Sequence, residues 1–209
     1  DLIQIGGTAF DLFGSLESVM ASAEEAYNKS RQKGINSYHI IGDDELERNY
    51  ALLDNSVVEV IDKANFSVDY VLDSFLFDDE EKLVMNEAAP QLFDYDNKKL
   101  SVGSFVAVAQ KLKIVDKFDK IIITKVLDNI KENKISHEIA INLSINSIED
   151  NEFMKWLENI LNENESIKNQ LVFSITSYTA YLHKKTFVDF VKKVHTMGSK
   201  ILLKRYRTD

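Results

Sequence analysis

From residue 115 onward the chain follows one order: helix, strand, helix, strand, helix, strand. That succession narrows the fold more than any other feature. The strands are the apolar runs IAINLS at 139–144, LVFSIT at 171–176 and KILLKRY at 200–206. The helices are 115–132, a stripe through Phe153, Trp156, Leu157, Ile160 and Leu161, and a stripe through Phe187, Phe190, Val191 and Val194 that ends at Gly198. Strands joined through helices lie parallel, so a parallel sheet or barrel is the natural product. Three such strands are too few to close an eight-stranded barrel, and the fold class is therefore α/β with a partial (β/α) barrel. Half a barrel leaves an unpaired edge and an open core, which predicts a truncated chain or edges covered by a second copy.

Upstream, residues 2–10 read as a strand carrying the pair Gly6 and Gly7, a weak signal best taken as a bend. The run LIQI looks like a strand already under way, which suggests that the chain begins inside a domain. Ser15 is placed as an N-cap, followed by an apolar face of Leu16, Val19, Met20, Ala23, Ala26 and Tyr27, with Gly34 just past the helix end. Residues 36–41 form a short strand. Asp43, Asp44 and Glu45 favour the start of a connecting helix at 43–64, buried along Tyr50, Leu53, Val57, Val60 and Ile61. Residues 66–77 and 83–93 read as a hairpin around the acidic turn at 78–80, with Pro90 at an edge or strand end. A polar loop at 94–99 leads to a helix at 101–112. Ser147 with Asp150 resembles a capping pattern for the Trp156 helix.

The 209 residues carry 25 Lys and Arg against 34 Asp and Glu, a formal charge of −9. Such a chain is not drawn to a nucleic acid polymer. The one basic cluster, Lys200, Lys204, Arg205 and Arg207, reads first as a charged strand end. With no cysteine, disulfides, thiolate chemistry and cysteine-based zinc sites are excluded, and a cytoplasmic setting fits. No apolar run is long enough to span a bilayer, so this segment is expected to make no membrane contact, although a parent protein can be anchored elsewhere.

Few residues announce chemistry. His39, His137, His183 and His195 lack paired metal spacing, and no phosphate-cradling glycine loop is present. The acidic runs at 43–44 and 78–81 are turn and cap chemistry first. Asn142 within IAINLS is open to two readings: a core amide bonded to backbone, or a strand-end amide at a barrel mouth. Glu87 lies in the apolar strand LVMNEAAP, where a carboxylate is expensive unless paired or bound to a cation.

With Glu87 and Asn142 on two strands of one barrel, the sequence resembles the EAL family of cyclic di-GMP phosphodiesterases. NEAAPQL at 86–92 is similar to the signature E-A-L-x-R-W. LDSF at 72–75 stands at the family's YQPI, FVAVAQ at 105–110 resembles FIPLAE, and AINLS at 140–144 nearly matches V-N-L-S. VFSITS at 172–177 resembles L-E-I-T-E, and MGSKILLKRYR at 197–207 the strand G-V-x-I-A-L-D-D-F-G. The head, residues 1–42, is similar to the C-terminal tail of a GGDEF domain, with Asn36 at its final Asn. The resemblance thus implies a GGDEF-like α+β tail at 1–42, a linker helix at 43–64, and at 65–209 the N-terminal part of a degenerate EAL domain with a partial TIM-like barrel.

In the family, two Mg²⁺ or Mn²⁺ ions held by strand-end carboxylates activate a water against a phosphodiester. By resemblance, Glu87 and Asn142 are remnant metal ligands, an insufficient set. The family's glutamate falls at Ser174 and its paired aspartates at Lys204 and Arg205. The phosphate-binding arginine is Gln91 and the glutamine of YQPI is Asp73. No cofactor is expected, and Mg²⁺ or Mn²⁺ only with residual activity. Gln91, Asn142, Lys204 and Arg205 are the ligand-binding candidates. The resemblance implies a catalytically inactive module acting by protein interaction, self-association or signal relay. A non-hydrolysing cyclic di-GMP receptor is the alternative, and an active phosphodiesterase the third possibility.

Overall fold

The computed structural model describes residues 3–10, 16–41, 43–94 and 97–205. The Ser15 cap and the basic Arg207 fall outside them, as do the side chains of Asp43, Asp44, Glu45 and Tyr50. The chain divides into two compact units, one of residues 1–65 with 92–113, the other of 66–91 with 114–209.

In the first unit, strands β1 (Gln4–Thr8) and β2 (Ser37–Ile41) pair in parallel through helix α1 (Leu16–Lys33). Gly6 permits this packing: a Cβ there would lie 2.1 Å from the Tyr27 backbone nitrogen, so only glycine lets the helix settle on the strand. Gly34 closes α1 at φ 110°, as the sequence predicts. The expected apolar face of α1 is only partly covered. Ala26 is buried, but Leu16, Met20 and Tyr27 remain exposed because a two-stranded sheet shields little of a helix. Helix α2 (Asp43–Asp62) buries Val57, Val60 and Ile61. Helix α3 (Val102–Lys111), capped by Ser101, buries Phe105, Val108 and Ala109, and Lys111 reaches Asp54 of α2 at 3.5 Å.

The second unit holds a five-stranded sheet whose strands lie side by side in chain order. Strands β3 (Ser67–Leu76) and β4 (Asp79–Gln91) form the predicted hairpin, antiparallel. The turn is tighter than the acidic stretch suggests. Leu76 pairs with Asp79, so Phe77 and Asp78 alone make the bend and the following acids enter the strand. Strands β5 (Glu138–Asn142), β6 (Leu171–Thr176) and β7 (Lys200–Lys204) follow in parallel. Pro90 lies near the end of β4, beyond the Met85–Glu87 segment that pairs with β5, so its missing N–H costs no parallel ladder bond.

Alternation divides the sheet residues between two faces. Ile139, Ile141, Phe173 and Ile175 are buried in the helix layer, with Phe173 against Phe190 at a ring distance of 6.3 Å. That layer contains α4 (Val115–Asn133), α5 (Ile145–Glu149), α6 (Asn151–Glu163), α7 (Ser177–Leu182) and α8 (Lys184–Met197). The caps differ from the expected Ser147 pattern. Ser144 caps α5, and Asp150 caps α6 by accepting from the N–H groups of Glu152 at 2.7 Å and Phe153 at 2.9 Å. Ser147 sits buried inside α5 because the chain breaks into two helices at Asp150. Gly198 ends α8 at φ 88°.

Candidate functional site

The other face of the sheet carries Glu87, Ala140, Asn142, Ser174, Thr176, Leu202 and Lys204. Their strand register places them on one side: Glu87 opposite Ala140, Asn142 opposite Ser174, Ser174 opposite Leu202, Thr176 opposite Lys204. Glu87 and Asn142, the two oxygen donors singled out in the sequence, meet directly. Asn142 Nδ2 donates to Glu87 Oε1 at 2.7 Å. The Lys204 ammonium completes the group, donating to Glu87 Oε1 at 2.7 Å, to Oε2 at 2.6 Å and to Asn142 Oδ1 at 3.3 Å.

This contact reports on the shape of the sheet. Strands β4 and β7 stand three places apart, about 14 Å along a flat sheet at the usual spacing. Two side chains that meet at 2.6 Å across that interval require a sheet curved toward this face. Nearer the strand starts, Lys200 of β7 and Glu138 of β5 make a second ion pair on the same face.

Ser174 lies between, 1% exposed, and its hydroxyl has no hydrogen-bond partner within the protein. Short of the ammonium, it accepts nothing and donates to nothing, so it adds no charge where a carboxylate would. Gln91 and Arg205 are not drawn into the group. Gln91 is the last residue of β4, and Arg205 follows β7 in the left-handed region at φ 55°, its side chain exposed and its carbonyl accepting from Ser177 Oγ at 2.8 Å. Asp73 is exposed on β3, and no contact joins it to Glu87 among the described residues.

These residues do not fit a pair of divalent cations. A metal needs free carboxylate oxygens, and both oxygens of Glu87 already face an ammonium. A cation placed there would meet Lys204 at like charge. Among the described residues no group of three or more His, Asp or Glu side chains is arranged to hold a metal ion.

One buried carboxyl beside the site escaped the sequence reading. Asp119 of α4 accepts from the Ser144 N–H at 3.0 Å, two residues beyond Asn142. Burial pushes its pKa up to about 7, with Asp116 adding a smaller push. The Ser144 N–H and the neighbouring Ser147 hydroxyl, which falls short of a well-formed hydrogen bond, pull the other way. Its signal was available: an aspartate between Val115 and Ile122 lies on the apolar face of the helix.

Residues 77–209, more than half of the chain, match the family model described as the EAL domain. The chain belongs to the EAL family. EAL domains occur in cyclic di-GMP signalling proteins and are related to cyclic di-GMP phosphodiesterases. No curated protein matches the chain significantly. Among solved structures, the fold resembles the S helix-GGDEF-EAL segment of Vibrio cholerae LapD bound to c-di-GMP, with a TM-score of 0.67 and 19% identity over 95% of this chain and 48% of that one. It also resembles the FimX EAL domain of Pseudomonas aeruginosa bound to c-di-GMP, with a TM-score of 0.65 and 17% identity over 75% of this chain and 63% of that one. The EAL enzyme Bd1971 in a cAMP-bound form gives a TM-score of 0.64 at 15% identity, over 79% of this chain and 47% of that one. The chain therefore spans about half the length of the LapD structure it matches. Among the described residues no helix is long and apolar enough to cross a membrane.

Proposed function

We propose that this EAL domain is catalytically inactive and serves a cyclic di-GMP pathway as a protein-interaction or signal-relay module. The observation that carries the reading is the Lys204 ammonium bonded to both oxygens of Glu87 and to Asn142 Oδ1. A fixed cation of the chain itself takes the oxygens on which a metal-activated water would depend. Ser174 and Lys204, standing where the family resemblance puts acidic ligands, remove two further negative charges. Residues 1–42 and 43–64 are read in the same proposal as a GGDEF tail and a linker helix, in a cytoplasmic segment of a larger protein.

The second reading, a receptor that binds without hydrolysis, is favoured by the exposed Arg205 beside the strand end and by the c-di-GMP bound in the LapD and FimX structures. Gln91 in place of an arginine, and the engagement of Lys204 by Glu87, weigh against it. Both readings are tested by titrating the full-length protein with cyclic di-GMP in a calorimeter and assaying hydrolysis with Mg²⁺ or Mn²⁺. The relay reading expects neither turnover nor saturable binding. Binding without turnover selects the receptor. Metal-dependent turnover overturns both.

A further inference from the structure

We propose that a second copy of this chain docks its β3–β4 hairpin tip into the groove between α6 and α8. The inference does not depend on whether the Glu87 site is active.

The groove holds about 560 Å³. Met154 and Met197 lie along it, and Lys155, Lys192 and Lys193 flank it. Lys155 is paired with Glu152 at 2.8 Å. Lys192 and Lys193 are exposed and form no ion pair among the described residues, and Glu158 offsets only part of this charge. The groove thus carries two polarizable methionines among lysines, with Asn151, Glu158 and Thr196 completing its lining, on a chain whose formal charge is −9.

The hairpin tip has the opposite character. Phe77 is 96% exposed, with Phe75 at 49% and Leu76 at 43% beside it. Three large apolar residues in succession at a solvated turn are costly unless they meet a partner. Asp78 follows, exposed, and the sequence continues Asp79, Glu80 and Glu81, so the stretch after the apolar residues is acidic. An aromatic ring set between methionine thioethers, with carboxylates reaching lysines, satisfies both surfaces at once. Both surfaces belong to the same compact unit. The tip does not enter its own groove, since Phe77 stays exposed. Charge complementarity therefore points to a second copy as the occupant.

Tip and groove are different surfaces, so the contact is heterologous. A hairpin tip buries less than a standard interface, and the association is weak and salt-sensitive.

The test is sedimentation velocity on the full-length protein, with Phe77→Ser in one variant and Lys192→Glu with Lys193→Glu in another. Both variants change exposed residues, and circular dichroism checks their fold. Wild type is expected to associate with rising concentration, and each variant to weaken that association by at least about tenfold. The first variant keeps a sound groove and the second a sound tip, so mixing them is expected to restore a 1:1 complex. A monomeric wild type overturns the proposal and leaves the groove to a different protein. Association unaffected by either variant, or a mixture that fails to pair, overturns it as well.

Discussion

Lys204 on β7 and Glu87 on β4, 117 residues apart in the chain, are joined through both carboxylate oxygens at 2.7 and 2.6 Å. Their side chains are 25% and 15% exposed, so the pair is sheltered without being dry. Removing one partner leaves the other charge poorly solvated, which is where most of the cost arises. Lys204→Met is therefore expected to destabilise the second unit by roughly 1–3 kcal/mol, below the range for fully buried pairs. Glu87→Gln on its own does the same. The double variant should cost less than the sum, because neither charge is then left alone. Urea unfolding followed by the fluorescence of Trp156, the single tryptophan and a residue of α6, reads this unit directly. Strict additivity of the two changes would refute the coupling.

The same pair sets the response to metal. With Glu87 occupied by an ammonium, Mg²⁺ or Mn²⁺ is expected to leave the melting temperature of the wild type unchanged. Lys204→Asp replaces the ammonium with a carboxylate next to Glu87 and Asn142. Two adjacent carboxylates repel until a cation joins them, so this variant should melt lower without metal and recover by a few degrees with Mn²⁺. Differential scanning calorimetry with and without Mn²⁺ distinguishes the two chains. A metal-induced rise in the wild type would contradict the reading of the site.

The strands that build this site were legible because burial on a parallel sheet leaves a simple mark. IAINLS, LVFSIT and KILLK are nearly continuous apolar runs, and their polar members Asn142, Ser174 and Lys204 share one parity of the register. Glu87 stood out for the same reason. What the runs do not encode is distance across the sheet: that Lys204 reaches Glu87 depends on curvature, which no single strand carries. The family resemblance sets Arg205 beside Lys204 at the paired aspartates, yet one residue past Lys204 the chain has left the strand and Arg205 stands in the left-handed region. Helix α7 leaves no mark in the sequence, because Tyr178, Tyr181 and Leu182 are exposed and form no buried stripe. Its start is fixed locally instead, by Thr176 Oγ1 accepting from the Thr179 N–H at 3.2 Å.

Gly6 offers a test confined to the first unit. Its missing side chain is filled by the backbone of α1, with Tyr27 nitrogen at 2.1 Å and Ala23 oxygen at 2.7 Å from where a Cβ would stand. Backbone cannot swing aside as a side chain tip does, so Gly6→Ala must push α1 off the sheet. The expected result is loss of amide-exchange protection in β1, β2 and α1, with β4–β7 retaining theirs. Hydrogen exchange by mass spectrometry reads both units in one experiment. Undiminished protection in β1 and β2 would show that the helix does not rest on Gly6.

Asp119 gives the second unit a pH dependence of unusual sign. Burial raises its carboxyl from 3.8 to about 7 in the folded chain. Between those values the folded state holds a proton that the unfolded state has released. The contribution to stability is thus fully present below pH 4 and is lost as pH rises toward 7. Asp150 runs the other way: bonds from the Phe153 and Glu152 N–H groups hold its carboxyl below the usual range, so its cap weakens only in acid. Asp119→Asn keeps an oxygen for the Ser144 N–H and removes the titration. The variant should gain on the wild type steadily from about pH 4 to pH 7 and exceed it by roughly 2–4 kcal/mol at pH 8. Urea midpoints followed through Trp156 across this range measure the difference. Parallel profiles for the two chains would mean that Asp119 carries no unusual proton, and that its bond to Ser144 is held by an ordinary carboxylate.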